Sequence, residues 1–248
     1  MKNKLTSILI TKNEEENIKR CLDSIKAISD EIIVVDSGST DKTLQIAKSF
    51  GAKVFDKEFE DFSVQRNFAL SKAENDWILS LDADEEISSG LQGEILQAID
   101  MQECDAYLVP RKNVIFGKEI KHTRWSPDEH IWLFKKSKSK FVNSIHEEVE
   151  VDGSVGELTN SKIHYSHKNI FEFLEKTNFY TGFEAINLKN EKIKFNFYKM
   201  LYAAKKSFIG RFLIKKGFLD GWRGFVLSYL RAVYKLILWV KVWEQEQK

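Results

Sequence analysis

The 248-residue sequence predicts an α/β fold: a doubly wound, mainly parallel sheet followed by a helical, amphipathic C-terminal extension. Three observations carry this expectation. Short β-branched apolar runs alternate with helical periodicity through the first 110 residues. Several of those runs close on a polar or acidic residue, the place where open parallel sheets bind their ligands. From Phe171 onward the pattern is helical, punctuated by Gly210, Gly217, Gly221 and Gly224.

The run Leu5-Thr6-Ser7-Ile8-Leu9-Ile10 is too short for a helix and ends in Thr11-Lys12-Asn13-Glu14, so it reads as a first buried strand. Ile18, Leu22, Ile25 and Ile28 recur at helical spacing over residues 15–28. Glu31-Ile32-Ile33-Val34-Val35-Asp36 then completes a βαβ unit. Ser37-Gly38-Ser39-Thr40-Asp41 is a turn with N-cap chemistry, leading a helix that reaches Phe50 and stops at Gly51. A short strand follows over residues 52–55. Trp77-Ile78-Leu79-Ser80-Leu81 is another strand and delivers Asp82, a helix covers residues 88–99, and Ala106-Tyr107-Leu108-Val109-Pro110 is a further strand. Residues 111–167 are less regular, with short strand-like runs around Trp125, Trp132, Phe134 and Phe141. These patterns divide the chain into an α/β domain, 1–168, with halves 1–110 and 111–168, and a helical region, 169–248.

Charge is unevenly spread. Residues 199–241 hold ten Lys or Arg and one acid, Asp220, whereas residues 1–198 carry 27 basic and 34 acidic residues. A mildly acidic body with a basic, aromatic tail indicates surface attachment. In that tail Trp222, Phe225, Tyr229, Val233, Leu236, Trp239 or Val240, and Trp243 recur at helical spacing. Charges interrupt the apolar runs, so the segment falls short of the roughly 18 apolar residues of a spanning helix. It reads either as an interfacial helix on an anionic membrane or as a helix packing its stripe on protein. Cys21 and Cys104 are too few for a disulfide framework, and Met1 to Leu5 lack signal-peptide character. The expected location is cytoplasmic, peripheral on the inner face of the cytoplasmic membrane, with no nucleic-acid partner.

Asp82-Ala83-Asp84-Glu85-Glu86 places four carboxylates within five residues directly after an apolar strand. Unpaired, they repel one another, and a hard divalent cation with oxygen ligands relieves this; the alternative is a solvated acidic turn capping the next helix. Asp36 closes a strand and opens a loop with Gly38. Its carboxylate either accepts hydrogen bonds from a base or ribose or caps the helix beginning near Thr40. Arg66, in Gln65-Arg66-Asn67, is either a bidentate phosphate donor or a partner of neighbouring acids.

Taken in order, Thr11-Lys12-Asn13-Glu14, Asp36-Ser37-Gly38-Ser39-Thr40-Asp41, Gln65-Arg66-Asn67 and Leu81-Asp82-Ala83-Asp84-Glu85 resemble the motifs of glycosyltransferase family 2 enzymes with the GT-A fold. His146-Glu147 and the basic, Gly-punctuated C-terminus resemble, more narrowly, the bacterial lipopolysaccharide-core glucosyltransferase-like branch. The resemblance implies that Thr11, Asn13, Glu14, Asp36, Gly38, Arg66 and Asp82 line the nucleotide-sugar pocket. It further implies that Asp84, with Asp82, holds Mg²⁺ or Mn²⁺. His164 and His167 flank Tyr165-Ser166, and a histidine there, His164 first, either completes that site beside Asp84 or is a hydrogen-bonded structural residue. An inverting hexosyl transfer needs a carboxylate that deprotonates the acceptor hydroxyl. Glu147 matches the family's acceptor-side acid, with Asp128 and Glu129 as alternatives. The implied donor is a UDP-sugar, UDP-glucose first, and the implied acceptor a saccharide or lipid-linked glycan of the bacterial cell envelope.

Other classes fit less of the chain. A phosphatase using an Asp-x-Asp nucleophile calls for Thr or Val where Glu85 stands. Neither Gly-x-Gly-x-x-Gly after the first strand nor a P-loop is present. A non-enzymatic membrane-binding module leaves the strand-end acids unexplained.

Overall fold

The computed structural model describes residues 3–143 and 147–247. His146, one of the residues carrying the narrower resemblance, lies outside them. The chain divides into two compact units: residues 1–112 with 129–165, and residues 113–128 with 166–248. The excursion 113–128 therefore groups with the C-terminal helices.

In the first unit, β1 (Leu5–Thr11), β2 (Glu31–Asp36), β3 (Lys53–Asp56) and β4 (Trp77–Asp82) form a parallel sheet in the order β3-β2-β1-β4. It continues antiparallel through β8 (Glu129–Lys135) to β6 (Ala106–Ile115). Alternate side chains of these strands enter two cores, as a sheet covered on both faces requires. Leu5 and Leu9 of β1, Val34 of β2 and Leu79 and Leu81 of β4 pack with α1 (Ile18–Ile25) and α4 (Ser89–Met101). Ile8, Ile33, Val35 and Ile78 pack instead with Ala69 and Leu70 of α3 (Phe62–Lys72) and with Phe134 and Phe141. α2 is shorter than its sequence pattern, Thr43–Ser49, and α1 begins only at Ile18 because the preceding residues are spent on loop-to-loop hydrogen bonds.

Register decides where the strands end together. Thr11 pairs with Asp36 across β1 and β2, and Ile10 pairs with Asp82 across β1 and β4. Asp82 is followed not by an open loop but by a short strand, β5 (Glu85–Ile87), paired antiparallel with β12 (Lys162–His167), so that His164 lies opposite Glu85 and Lys162 opposite Ile87. A hairpin of β9 (Ser139–Val142) and β10 (Glu148–Val151), and β11 (Val155–Glu157) parallel to β6, complete this unit.

In the second unit the end of β6 and β7 (Lys118–Ile120) form a hairpin through Phe116 and Gly117, both at positive φ as a two-residue turn of this type needs. Helices α5 (Ile170–Asn190), α6 (Phe197–Ile209) and α7 (Gly221–Glu246) follow, with a π-helical turn, Gly210–Ile214, and a 3₁₀ turn, Gly217–Asp220, joining α6 to α7. Gly224 does not break α7. It is a point of close approach, since a Cβ there would run into the Gly217 carbonyl oxygen. The buried side chains of α7 are Leu227, Ser228, Tyr234, Leu238 and Val242, whereas Trp222, Phe225, Tyr229, Val240 and Trp243 of the sequence stripe are exposed. Among the described residues no helix is long and apolar enough to cross a membrane.

Candidate active site

The strand-end loops of β1 and β2 are joined by side chains. Asp36, fully buried, accepts from Thr11 Oγ1 (3.0 Å) and Ser39 Oγ through Oδ1, and from the backbone N–H groups of Gly38 (2.9 Å) and Ser39 (2.7 Å) through Oδ2. Asn13, at φ 54°, donates its N–H to Ser39 Oγ (2.8 Å) and accepts from the Thr40 N–H (2.8 Å). The Glu14 N–H donates to Thr43 Oγ1, and the Glu14 carboxylate accepts from Asn17. Asp36 and Asn13 thus organise the loop around Gly38 (φ 81°), a backbone conformation natural to glycine. Ser39, which receives and supplies bonds on both sides, was not singled out by the sequence; only its place directly after Gly38 hinted at it.

Three consecutive residues of α3 reach three different parts of the site. Gln65 donates from Nε2 to Ser37 Oγ (2.6 Å) and to the Lys57 carbonyl (3.0 Å). Arg66 donates from Nη2 to Asp82 Oδ1 (2.6 Å), from Nε to Glu147 Oε1 (3.1 Å) and from Nη1 to Ser80 Oγ (3.0 Å). Asn67 exchanges a pair of hydrogen bonds with the backbone of Phe141 in β9. Arg66 is 1% exposed and lies over the rings of Trp132 and Phe141, so its charge is balanced by the two carboxylates and not by water. Burial works against that guanidinium, and Asp82 and Glu147 more than offset it, raising its pKa. Burial is the largest influence on Asp82 and pushes it upward, but the charges of Arg66, Lys162 and His164 together hold the carboxyl below its ordinary value.

The four adjacent carboxylates have separate fates. Glu85 is fully buried and accepts from Lys162 Nζ (2.6 Å), from Arg111 (3.4 Å) and from the Asp82 N–H (3.1 Å). Lys162, itself fully buried, stacks 3.3 Å from the centre of the Trp132 ring, and burial lowers its pKa to about 8. Glu86 takes the Tyr165 hydroxyl (3.0 Å) and Arg20 (3.7 Å). Asp82 is held by Arg66. Asp84 lies 3.4 Å from His164 Nε2. The mutual repulsion read from the sequence is therefore relieved in part by protein cations and a hydroxyl, and the neighbouring Asp84 and His164 are the pair that could hold a metal ion. Among the described residues no group of three or more His, Cys, Asp or Glu converges on one point. A carboxylate and an imidazole suit Mg²⁺ or Mn²⁺ when diphosphate and water supply the remaining ligands. Cys21 lies beneath this turn, donating to the Asp82 carbonyl, with its thiol pKa raised by burial and then by the neighbouring acids.

Lys162 was missed by sequence reading. A lysine two residues before a histidine on a short strand looks like a solvated edge residue until β5 is known to pair with β12. Glu147, on the other side of Arg66, lines a cleft of about 190 Å³ with Glu129, His130, Trp132, Phe141 and Glu148. The indole N–H of Trp132 is buried without a hydrogen-bond partner among the described residues. Glu129 shares that cleft. Asp128 belongs to the second unit, where it accepts from Asn113 Nδ2 (2.8 Å).

Residues 6–156 match Glycosyl transferase family 2. An uncharacterized glycosyltransferase of Rickettsia typhi is 34% identical over 258 residues, covering 99% of this chain and 88% of that protein. The lipopolysaccharide core biosynthesis glycosyltransferase LpsC of Rhizobium meliloti is 25% identical over 252 residues, covering 97% and 92%. Among solved structures, S. aureus TarS 1–349 in complex with UDP-GlcNAc matches with a TM-score of 0.51 at 18% identity, over 98% of this chain and 91% of that one, a likeness of fold. With the mainly parallel sheet and its strand-end acids, these matches identify the architecture as GT-A, and the chain belongs to glycosyl transferase family 2.

Proposed function

We propose that the chain is an inverting, metal-dependent hexosyltransferase that moves a sugar from a UDP donor to a saccharide or lipid-linked acceptor of the bacterial cell envelope, with UDP-glucose the first donor to test. The observation that carries this reading is Arg66, which joins Asp82, at the donor end of the sheet, to Glu147, in the cleft. One buried cation thereby fixes the spacing between two carboxylates with different tasks. UDP as the nucleotide is supported by the UDP-GlcNAc complex of TarS, and an envelope acceptor by the lipopolysaccharide role of LpsC. A phosphatase of the Asp-x-Asp type needs its first aspartate as nucleophile; Asp82 is paired with the buried Arg66, and position 85 carries a buried glutamate held by Lys162, which together speak against that alternative.

In this reading the loop of Thr11, Asn13, Glu14, Asp36 and Gly38 receives the nucleoside, and Asp84 with His164 holds Mg²⁺ or Mn²⁺, assisted by Asp82. When bound, the cation neutralises charge on the leaving diphosphate. Glu147 accepts the proton of the acceptor hydroxyl as that oxygen bonds to the sugar C1 and the C1–O bond to UDP breaks; the proton remains on the carboxylate and UDP departs. The basic, aromatic helical region holds the enzyme on the inner face of the cytoplasmic membrane, where a lipid-linked acceptor would be found.

The test is calorimetric titration with UDP. Binding is expected to require Mn²⁺ or Mg²⁺ and to be lost in Asp84→Ala; equal affinity with and without metal, or in that variant, refutes the metal-bridged donor site.

A further inference from the structure

The junction of α6 and α7, in the second unit, carries exposed apolar side chains. Phe208, Phe212 and Phe225 form a packed floor, with ring centroids 5.4 Å apart for Phe208–Phe212 and 5.6 Å apart for both Phe208–Phe225 and Phe212–Phe225. Beyond it the two turns present Leu213 (53% exposed), Ile214 (72%), Phe218 (49%), Leu219 (57%) and Trp222 (64%). Five large apolar side chains within ten residues of sequence, all about half-exposed or more, concentrate the kind of apolar surface that marks an interaction site. The opposite face of α7 is already satisfied by its buried residues Leu227, Tyr234, Leu238 and Val242.

Charge selects the partner. Lys215 and Lys216 are exposed in the same turn. The one acid of residues 199–241, Asp220, is occupied by the N–H groups of Lys121 (3.2 Å) and His122 (2.9 Å) and by His122 Nδ1. The patch is therefore apolar at its tip and uncompensated positive at its margin. A second copy of the chain docking there would bring lysine against lysine, whereas an anionic bilayer offers hydrocarbon for the tip and headgroup phosphates for the ammonium groups.

We infer that this corner, residues 208–225, is the element that enters the headgroup layer of an anionic lipid membrane. The contact is made by the two turns and the start of α7, and it rests on the membrane residence proposed above but not on the transfer chemistry. Trp222 is placed as an interfacial aromatic and Lys215 and Lys216 as the phosphate-facing pair.

Flotation of the full chain with phosphatidylcholine vesicles, with and without anionic phosphatidylglycerol, tests it. Binding is expected only with the anionic vesicles and should weaken with salt. Ile214→Glu with Leu219→Glu should lower partitioning by about tenfold or more, and Lys215→Glu with Lys216→Glu should abolish the preference for anionic lipid. Because all four positions are exposed, circular dichroism and metal-dependent UDP binding should be unchanged. Absence of flotation overturns both membrane residence and the corner. Flotation that the apolar pair leaves unchanged overturns the corner alone. Loss of a dimer in the apolar pair, seen by sedimentation, reassigns the surface to self-association.

Discussion

At the scale of single residues, Arg66 and Glu147 separate structure from chemistry. Arg66 neutralises two carboxylates inside the fold, and removing it leaves both without their partner. Arg66→Met is expected to destabilise the protein by roughly 3 kcal/mol in urea denaturation. Arg66→Lys should recover little of this, since a single ammonium cannot reproduce the three-way fork to Asp82, Glu147 and Ser80. Glu147→Gln keeps an acceptor for the Arg66 N–H, so its urea midpoint and UDP affinity should stay near wild type while sugar transfer falls by about 10² or more. Transfer at the wild-type rate in that variant would make Glu147 a purely structural partner.

At the scale of elements, the glycines of the C-terminal region act for different reasons. Gly224 lies inside α7 because the Gly217 carbonyl packs where its side chain would be, and backbone cannot yield as a side-chain tip can. Gly224→Ala is expected to cost about 2–3 kcal/mol, the scale of overpacking in a tight contact, despite alanine's better helix propensity. Gly210 has nothing within 4 Å of its virtual Cβ and a helical backbone, φ −59°, so Gly210→Ala should be neutral or stabilising by up to about 1 kcal/mol. Thermal denaturation of the two variants side by side checks the difference in sign. The same scale explains β5. A three-residue strand rich in glutamate has little strand propensity of its own, and pairing with β12 and the Lys162–Glu85 ion pair hold it.

At the scale of the whole molecule, the two compact units divide the expected labour. Thr11, Asn13, Asp36, Arg66, Asp82, Asp84, Glu147 and His164 all belong to the first unit, and the exposed apolar corner belongs to the second. UDP with Mn²⁺ should therefore raise the melting temperature, by the equivalent of about 2.7 kcal/mol at a hundredfold excess over Kd, and a chelator should cancel the rise. Gly224→Ala should lower the starting stability yet leave UDP affinity unchanged. A loss of affinity in that variant would show that the donor site depends on the C-terminal helices.

The sequence by itself determined the parallel βαβ order, the strand-end positions of Thr11, Asp36 and Asp82, and the family, because these follow from local periodicity and from motifs contiguous in the chain. Arg66 and Glu147 were legible as separate candidates, but their joining was not, since they stand 81 positions apart in the chain. Lys162 and the paired state of Glu85 were hidden for the same reason: antiparallel pairing of β5 with β12 joins residues 77 apart, and no local pattern encodes it. The tail's periodicity was readable, yet two stripes on one helix compete for burial. Only packing against α5 and α6 decided that Leu227, Tyr234, Leu238 and Val242 go inward and that Trp222 and its neighbours stay out. The acidic cluster shows the general reason most directly. Four charges in sequence look like one site, but their energies depend on which cations the fold brings within about 3 Å, and that is settled by tertiary contacts alone.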